Sequence, residues 1–248
     1  MSVKSSLNTI KQKRGGVYLV LVDPDKLPVD QIAGFTAICE KSGVDGLLIG
    51  GSLLFNSDLN LFLTTIKKST SLPAILFPGA ISQVSPEADA ILYISIISGR
   101  NADHLIGKHV LAAPMIKRFN LETISTGYML IDSGEKTTAE YMSTSMPIPR
   151  NKPEIAAATA LAAKYLGMEY VYLEAGSGAK LHVPFEMVKA VSSYSGIPVI
   201  TGGGIREPEI ARKMIQAGAS VVVTGNYFEN VDNWKRLEEF AKAVHINE

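Results

Sequence analysis

Five short stretches bring together side chains and bare backbone that can handle anions and move protons. "VDPDK" closes an apolar run with Asp23, followed by Asp25 and Lys26. The carboxylates are hard oxygen ligands of the kind Mg²⁺ takes, and the ammonium suits a remaining phosphate charge. An Asx-type turn leading into a helix explains the same residues equally well. "YVYLEAGSGAK" sets Tyr172 and Glu174 on one side of a strand by the two-residue period, with Gly176 and Gly178 directly after. A carboxylate at such a rim can accept a proton from a hydroxyl; a structural ion pair is the alternative. "TGGGIREPE" supplies Gly202, Gly203 and Gly204, and "TGN" supplies Gly225 and Asn226. Backbone N–H groups in turns free of side chains, next to a helix start, form a cradle for a phosphate dianion. These glycines would otherwise serve only tight turns. "IGGS" (Gly50, Gly51, Ser52) adds another such turn. Two anion-friendly loops on opposite sides of one mouth fit a substrate pair that carries phosphate at both ends.

The elements that must position these residues are legible as eight β-rich runs: "GVYLVLVD", "DGLLIG", "PAILF", "AILYIS", "ETISTGYMLID", "YVYLE", "IPVIT" and "SVVVTG". They are nearly continuously apolar, the pattern of strands covered on both faces of a parallel sheet. Helical stripes lie between them, such as Leu59, Phe62, Leu63 and Ile66, or Ile210, Met214 and Ile215, and Pro153 and Pro208 occupy first-turn positions. Eight strand-then-helix units in 248 residues predict a single (β/α)₈ (TIM) barrel spanning residues 1–248, with catalytic groups at the carboxyl ends of the strands. One unit is deficient. "AISQVSPEAD" has a proline and no apolar stripe, so the third helix should be weak or replaced by a loop. The segment 132–152, with Tyr141, Met142 and Met146, reads either as a partly apolar flap over the mouth or as a disordered excursion.

Composition removes several classes of function. Twenty-four basic and twenty-four acidic residues cancel, so no global field draws in nucleic acid or an anionic membrane. No apolar run approaches the ~18 residues of a spanning helix, and the polar, basic N-terminus lacks a signal-peptide core, which points to a cytoplasmic protein. The single Cys39, beside Ile32 and Phe35, reads as a small buried hydrophobe. His104, His109, His182 and His245 have no zinc-ligand spacing, and GxSxG, P-loop and GxGxxG fingerprints are absent.

Taken in order, "VDPDK", "IGGS", "LFPG", "IPRNKPEIAAATALAAKYLGM", "YLEAGSGA", "GGGIR" and "TGN" closely resemble the geranylgeranylglyceryl phosphate synthases, over essentially the whole chain. The resemblance implies a modified barrel that departs from the eight-helix ideal at its third helix. It also implies transfer of a prenyl group, geranylgeranyl by the form of the motifs, from a prenyl diphosphate to the C3 hydroxyl of sn-glycerol 1-phosphate in ether-lipid synthesis. Carried over by position, Asp23 and Ser52, with Asp25 nearby, would hold Mg²⁺. Tyr172, Leu173, Glu174, Ala175, Gly176, Ser177 and Gly178, with Gly203, Gly204, Gly225 and Asn226, would hold glycerol phosphate. Glu174 would deprotonate the hydroxyl beside Tyr172, Lys26 would neutralise the diphosphate, and Phe77, Tyr93 and Ile96 would line the prenyl groove. The family also implies a homo-oligomer, dimeric or hexameric. Two other readings stay open: a phosphosugar isomerase-like barrel using Asp23 and Asp132 as acid and base, and a barrel that binds phosphate or prenyl groups without chemistry.

Overall fold

The computed structural model describes residues 2–55 and 58–248. Eight parallel strands close into a barrel in sequence order: β1 (Val17–Val22), β2 (Gly46–Ile49), β3 (Ala74–Leu76), β4 (Ala90–Ile96), β5 (Glu122–Leu130), β6 (Tyr170–Glu174), β7 (Val199–Gly202) and β8 (Val221–Thr224). Closure is made by β1 against β8, with Val17 opposite Val221 and Val20 opposite Thr224. Outside the ring lie α2 (Ile32–Lys41), α3 (Leu59–Ser69), α4 (Lys108–Phe119), α6 (Pro153–Tyr165), α7 (Phe185–Ser195), α8 (Pro208–Gln216) and α9 (Leu237–Val244). Local chemistry explains their starts. The Asp58 side chain accepts the Asn60 and Leu61 N–H groups at 3.0 and 3.1 Å to begin α3, which buries Phe62, Leu63 and Ile66. Pro153 and Pro208 begin α6 and α8, where the missing N–H has no partner to lose.

The strands feed two separate cores. Val17, Leu19, Leu48, Ile75, Leu92, Ile124, Tyr128, Tyr170, Tyr172, Ile200 and Val223 fill the barrel interior. The alternate residues, including Val20, Leu47, Ile49, Leu173 and Val222, pack outward against the helices. This explains the unbroken apolar runs: both faces of each strand are dry.

Between β3 and β4 there is only a single 3₁₀ turn, Ile81–Gln83. Its Gln83 is buried and braces the neighbouring loops, donating to the Gly51 carbonyl at 2.9 Å and accepting the Gly79 N–H at 3.1 Å. The outer face of β4 is therefore left without a covering helix on that side.

The polar, basic N-terminal segment is a helix: α1 (Val3–Arg14). Val3, Leu7 and Ile10 line up on its inner face and close the floor of the barrel. The Glu122 carboxylate accepts the Val3 and Lys4 N–H groups at 2.7 and 3.0 Å, filling two of the donor positions a helix start leaves open. The same end is tied by buried Asp45, which accepts from the Tyr18 N–H, Arg14 and His245, each at 2.8 Å.

Candidate active site

Glu174 ends β6 and is only 5 % exposed. Its Oε1 accepts the Gly176 N–H at 2.6 Å. Burial pushes its carboxyl up from 4.5 to about 7, against the opposing pull of that N–H and of Tyr172. Desolvation dominates, and no cation's charge offsets it. The Tyr172 hydroxyl lies beside this carboxylate but outside hydrogen-bond geometry, and it is fully buried with no partner among the described residues. Burial, then the Glu174 charge, raises the phenol well above its ordinary value, so it stays protonated. The Tyr172 ring stacks on Phe77 at 5.4 Å and meets Tyr128 edge-on at 5.4 Å.

The glycines after β7 are required first by the protein itself. Gly203 has φ +82°, and a Cβ there would lie 2.5 Å from Glu174 Oε1. Gly204 has φ +68°, and its Cβ would lie 2.8 Å from the His182 N. The β6 and β7 loops thus interlock, leaving no room for a side chain between them. Arg206 reinforces the contact by donating to the Ala179 carbonyl at 2.9 Å. Gly225 and Asn226 complete the rim after β8, with Asn226 Oδ1 3.2 Å from where a Gly178 Cβ would sit.

Across the mouth, Asp23 Oδ1 accepts the Asp25 N–H at 2.9 Å, the turn that the alternative reading of "VDPDK" required. Burial raises the half-buried Asp23 carboxyl above the ordinary carboxylate value. The Asp25 N–H opposes this, the charges of Asp25 and Glu229 add to it, and Lys26 works against it. Asp25 is turned aside, accepting the Phe55 N–H at 2.6 Å. Gly51 lies against Asp23, with a Cβ there 3.1 Å from its Oδ2, so the "IGGS" loop packs directly on this carboxylate.

One cavity of about 630 Å³ joins these parts. It is lined by Asp23, Lys26, Ser52, Tyr172, Glu174, Gly176, Ser177, Gly178, Gly203, Gly204, Gly225 and Asn226, which are most of the residues singled out in the sequence. From the mouth it runs to the gap left by the absent helix, where Ile81, Val84, Ile91, Tyr93, Ala112 and Ile116 form an apolar wall. Phe77 and Ile96 line it from inside the barrel, whereas Tyr93 is on the outer face of β4, its hydroxyl donating to the His109 carbonyl at 2.8 Å.

Segment 132–152 is ordered over this mouth. Ile148 pairs with Ile131, α5 (Thr138–Ser143) follows a Thr137 cap, and Arg150 donates to the Asp132 and His182 carbonyls at 3.0 and 3.1 Å. Thr138, Ala139 and Met142 contribute to the cavity wall, which favours the flap over a disordered excursion.

Two residues read as substrate-binding do not reach the cavity. Leu173 and Ala175 are buried in the outer core, because the strand period that turns Tyr172 and Glu174 inward turns their neighbours away. The Ala175 N–H is also taken by the Gly202 carbonyl at 3.1 Å. Asp25 and Asp132 are likewise absent from the lining. Asp132 Oδ1 accepts the Gly134 N–H at 2.8 Å and lies outside the cavity, while Glu174 and Glu229 share the mouth with Asp23, so the paired-aspartate isomerase arrangement is not built. Sequence reasoning missed Tyr128, Arg206 and Glu229, all in the lining. Tyr128 was available from the two-residue period of β5 and Arg206 from "GGGIR"; nothing marked Glu229 out.

Residues 8–244 match the PcrB family. This chain belongs to the PcrB family. Among its relatives, the geranylgeranylglyceryl phosphate synthase of Chitinophaga pinensis is 45 % identical over 238 residues, covering 95 % of this chain and 94 % of that one. That of Methanosphaera stadtmanae is 38 % identical, covering 99 % and 100 %. The crystal structure of (S)-3-O-geranylgeranylglyceryl phosphate synthase from Thermoplasma acidophilum, in complex with its substrate sn-glycerol-1-phosphate, superposes with a TM-score of 0.91. It is 34 % identical and covers 99 % of each chain. This PcrB family member thus shares its closed barrel with a solved relative from end to end. Among its described residues no helix is long and apolar enough to cross a membrane.

Proposed function

We propose that this chain is a prenyltransferase that joins a prenyl diphosphate, geranylgeranyl diphosphate by preference, to the C3 hydroxyl of sn-glycerol 1-phosphate and releases diphosphate. The observation that carries the reading is a single cavity with a buried carboxyl of pKa about 7 at its polar mouth and an apolar arm where a helix is missing. A polar headgroup and a long hydrocarbon need those two environments side by side.

The phosphate of the acceptor fits the β7 and β8 loops, where Gly203, Gly204, Gly225 and Asn226 line the cavity and their amides would be its donors. Its hydroxyl then falls to Glu174. A carboxyl with a pKa of about 7 is divided between its two forms near neutrality, so it is matched to accepting a proton as the oxygen attacks C1 of the prenyl chain. Tyr172, kept neutral, can donate to the substrate but cannot take its proton. As the allylic C–O bond breaks, positive charge develops on the chain. The rings of Phe77, Tyr128 and Tyr172 offer π-faces to it within the cavity. The leaving diphosphate falls on the Asp23 side, where Lys26 lines the same rim.

The donor set there suits Mg²⁺. Asp23 is a half-buried carboxylate whose charge is disfavoured by burial and by two like charges, and Ser52, in the same lining, would supply a second oxygen. Among the described residues no three His, Cys, Asp or Glu side chains converge as a protein-only metal cage. Mg²⁺ shared with a diphosphate needs only one or two carboxylates. When bound, the ion would neutralise charge building on the departing diphosphate.

The test is incubation with labelled sn-glycerol 1-phosphate and prenyl diphosphates of graded length, with Mg²⁺ or with EDTA, followed by lipid extraction. A labelled ether lipid formed only with Mg²⁺ supports the reading in full. Product formed equally in EDTA removes the metal, and no product with any prenyl diphosphate removes the function.

A further inference from the structure

The loop after β8 carries a pair of side chains that the chemistry above leaves unused. Asn226 and Glu229 begin and end one 3₁₀ turn, Asn226–Glu229, and residues three apart in such a turn stack above one another. Asn226 Nδ2 donates to Glu229 Oε1 at 2.7 Å. The pair is exposed at the mouth, but the turn beneath it is fixed from below. Phe228 is buried and its N–H returns to the Gly225 carbonyl at 2.8 Å. The Trp234 indole donates to the Phe228 carbonyl at 2.9 Å, and Asn233 donates to the Tyr227 carbonyl at 2.7 Å.

A carboxylate only accepts hydrogen bonds, so whatever faces Glu229 must be the NH₂ end of the Asn226 amide. The carbonyl end, Oδ1, is thereby held on the opposite side, beside Gly178 and over the cavity. An amide oxygen repels a phosphate oxygen and accepts a hydroxyl proton. The mouth therefore presents two acceptors on one side, Glu174 and Asn226 Oδ1, and glycerol phosphate carries two hydroxyls.

We propose that Glu229 is a positioning residue: by holding the Asn226 amide in one orientation, it makes Oδ1 the acceptor for the C2 hydroxyl of glycerol phosphate. The inference rests on the proposed function, in which Glu174 takes the C3 hydroxyl. It predicts discrimination between glycerol phosphate and 3-hydroxypropyl phosphate, which keeps the dianion and the reacting hydroxyl but lacks the C2 oxygen.

Calorimetric titration of the full chain with each compound tests it. Loss of one orienting hydrogen bond corresponds to roughly a fivefold change in affinity. In Glu229→Ala, glycerol phosphate should bind about fivefold more weakly while 3-hydroxypropyl phosphate is unchanged within about twofold. Glu229→Gln can still accept through its amide oxygen, and should bind both compounds as the unaltered protein does. Equal weakening of both compounds in Glu229→Ala would mean that Glu229 only supports the loop, and no change in either would remove its role; each result overturns the proposal while leaving the proposed function standing. If the unaltered protein binds neither compound, the glycerol phosphate site itself fails, and this inference fails with it.

Discussion

Replacing Glu174 with Gln should make the protein more stable and nearly inactive, and both effects follow from one buried group. In the fold burial pushes the Glu174 carboxyl up to about 7, against 4.5 for a freely exposed side chain. Below pH 4.5 it is protonated in the folded and unfolded chains alike, and contributes no difference. Between pH 4.5 and 7 the unfolded chain ionises it while the fold keeps the proton, so stability falls as pH rises; above 7 the loss is complete. At 1.36 kcal/mol per pH unit the loss amounts to about 3 kcal/mol. Gln keeps the oxygen that accepts the Gly176 N–H and carries no charge to desolvate. Urea denaturation at pH 5 and pH 8 should therefore show the variant gaining on the wild type by about 2–3 kcal/mol between the two values. Turnover should fall by a factor of about 10²–10⁴ at pH 8, and the rise in wild-type activity through pH 7 should vanish. A variant less stable than wild type at pH 8, or one that keeps both turnover and its pH dependence, would refute the argument that burial of a working carboxylate controls both quantities.

Three other outcomes follow. Gly203→Ala forces a side chain onto a φ of +82° and against Glu174 Oε1, and should cost about 1–3 kcal/mol by denaturation while weakening glycerol phosphate binding in calorimetry. Asp23→Asn should lower kcat/KM on the order of a hundredfold and abolish the Mg²⁺-dependent part of prenyl diphosphate binding measured by calorimetry. Ala112→Trp, which fills the apolar arm of the cavity, should raise KM for prenyl diphosphate about tenfold, with glycerol phosphate affinity unchanged.

The barrel was legible because its signal is redundant: eight apolar runs, each dry on both faces, can be read even where helices between them are weak. The deficient third helix was legible for the opposite reason, since a proline and the lack of a stripe exclude packing. The site was legible where strand alternation governs, as at Tyr172 and Glu174. Motif likeness carried Leu173 and Ala175 along with them, although the same alternation sends those two outward. The helix at the N-terminus was hidden by its charge. Its inner stripe of Val3, Leu7 and Ile10 is only three residues wide, and nothing in the sequence announces the barrel floor it covers. Glu229 was invisible because its importance lies in which end of a neighbouring amide it selects, a relation that exists only once the turn has formed.

The gap beside β4 would give the proposed hydrocarbon substrate a second part to play. A regular barrel would seal that flank with its own chain; on the proposed function the sealing would be delegated to the lipid tail, so the guest would complete the architecture of the host. Supply of the prenyl donor would then govern how firmly the 81–119 region holds together, through the ordinary coupling of ligand occupancy to folding. A cell short of that donor would carry an enzyme that is idle and, along this one flank, more open to proteases.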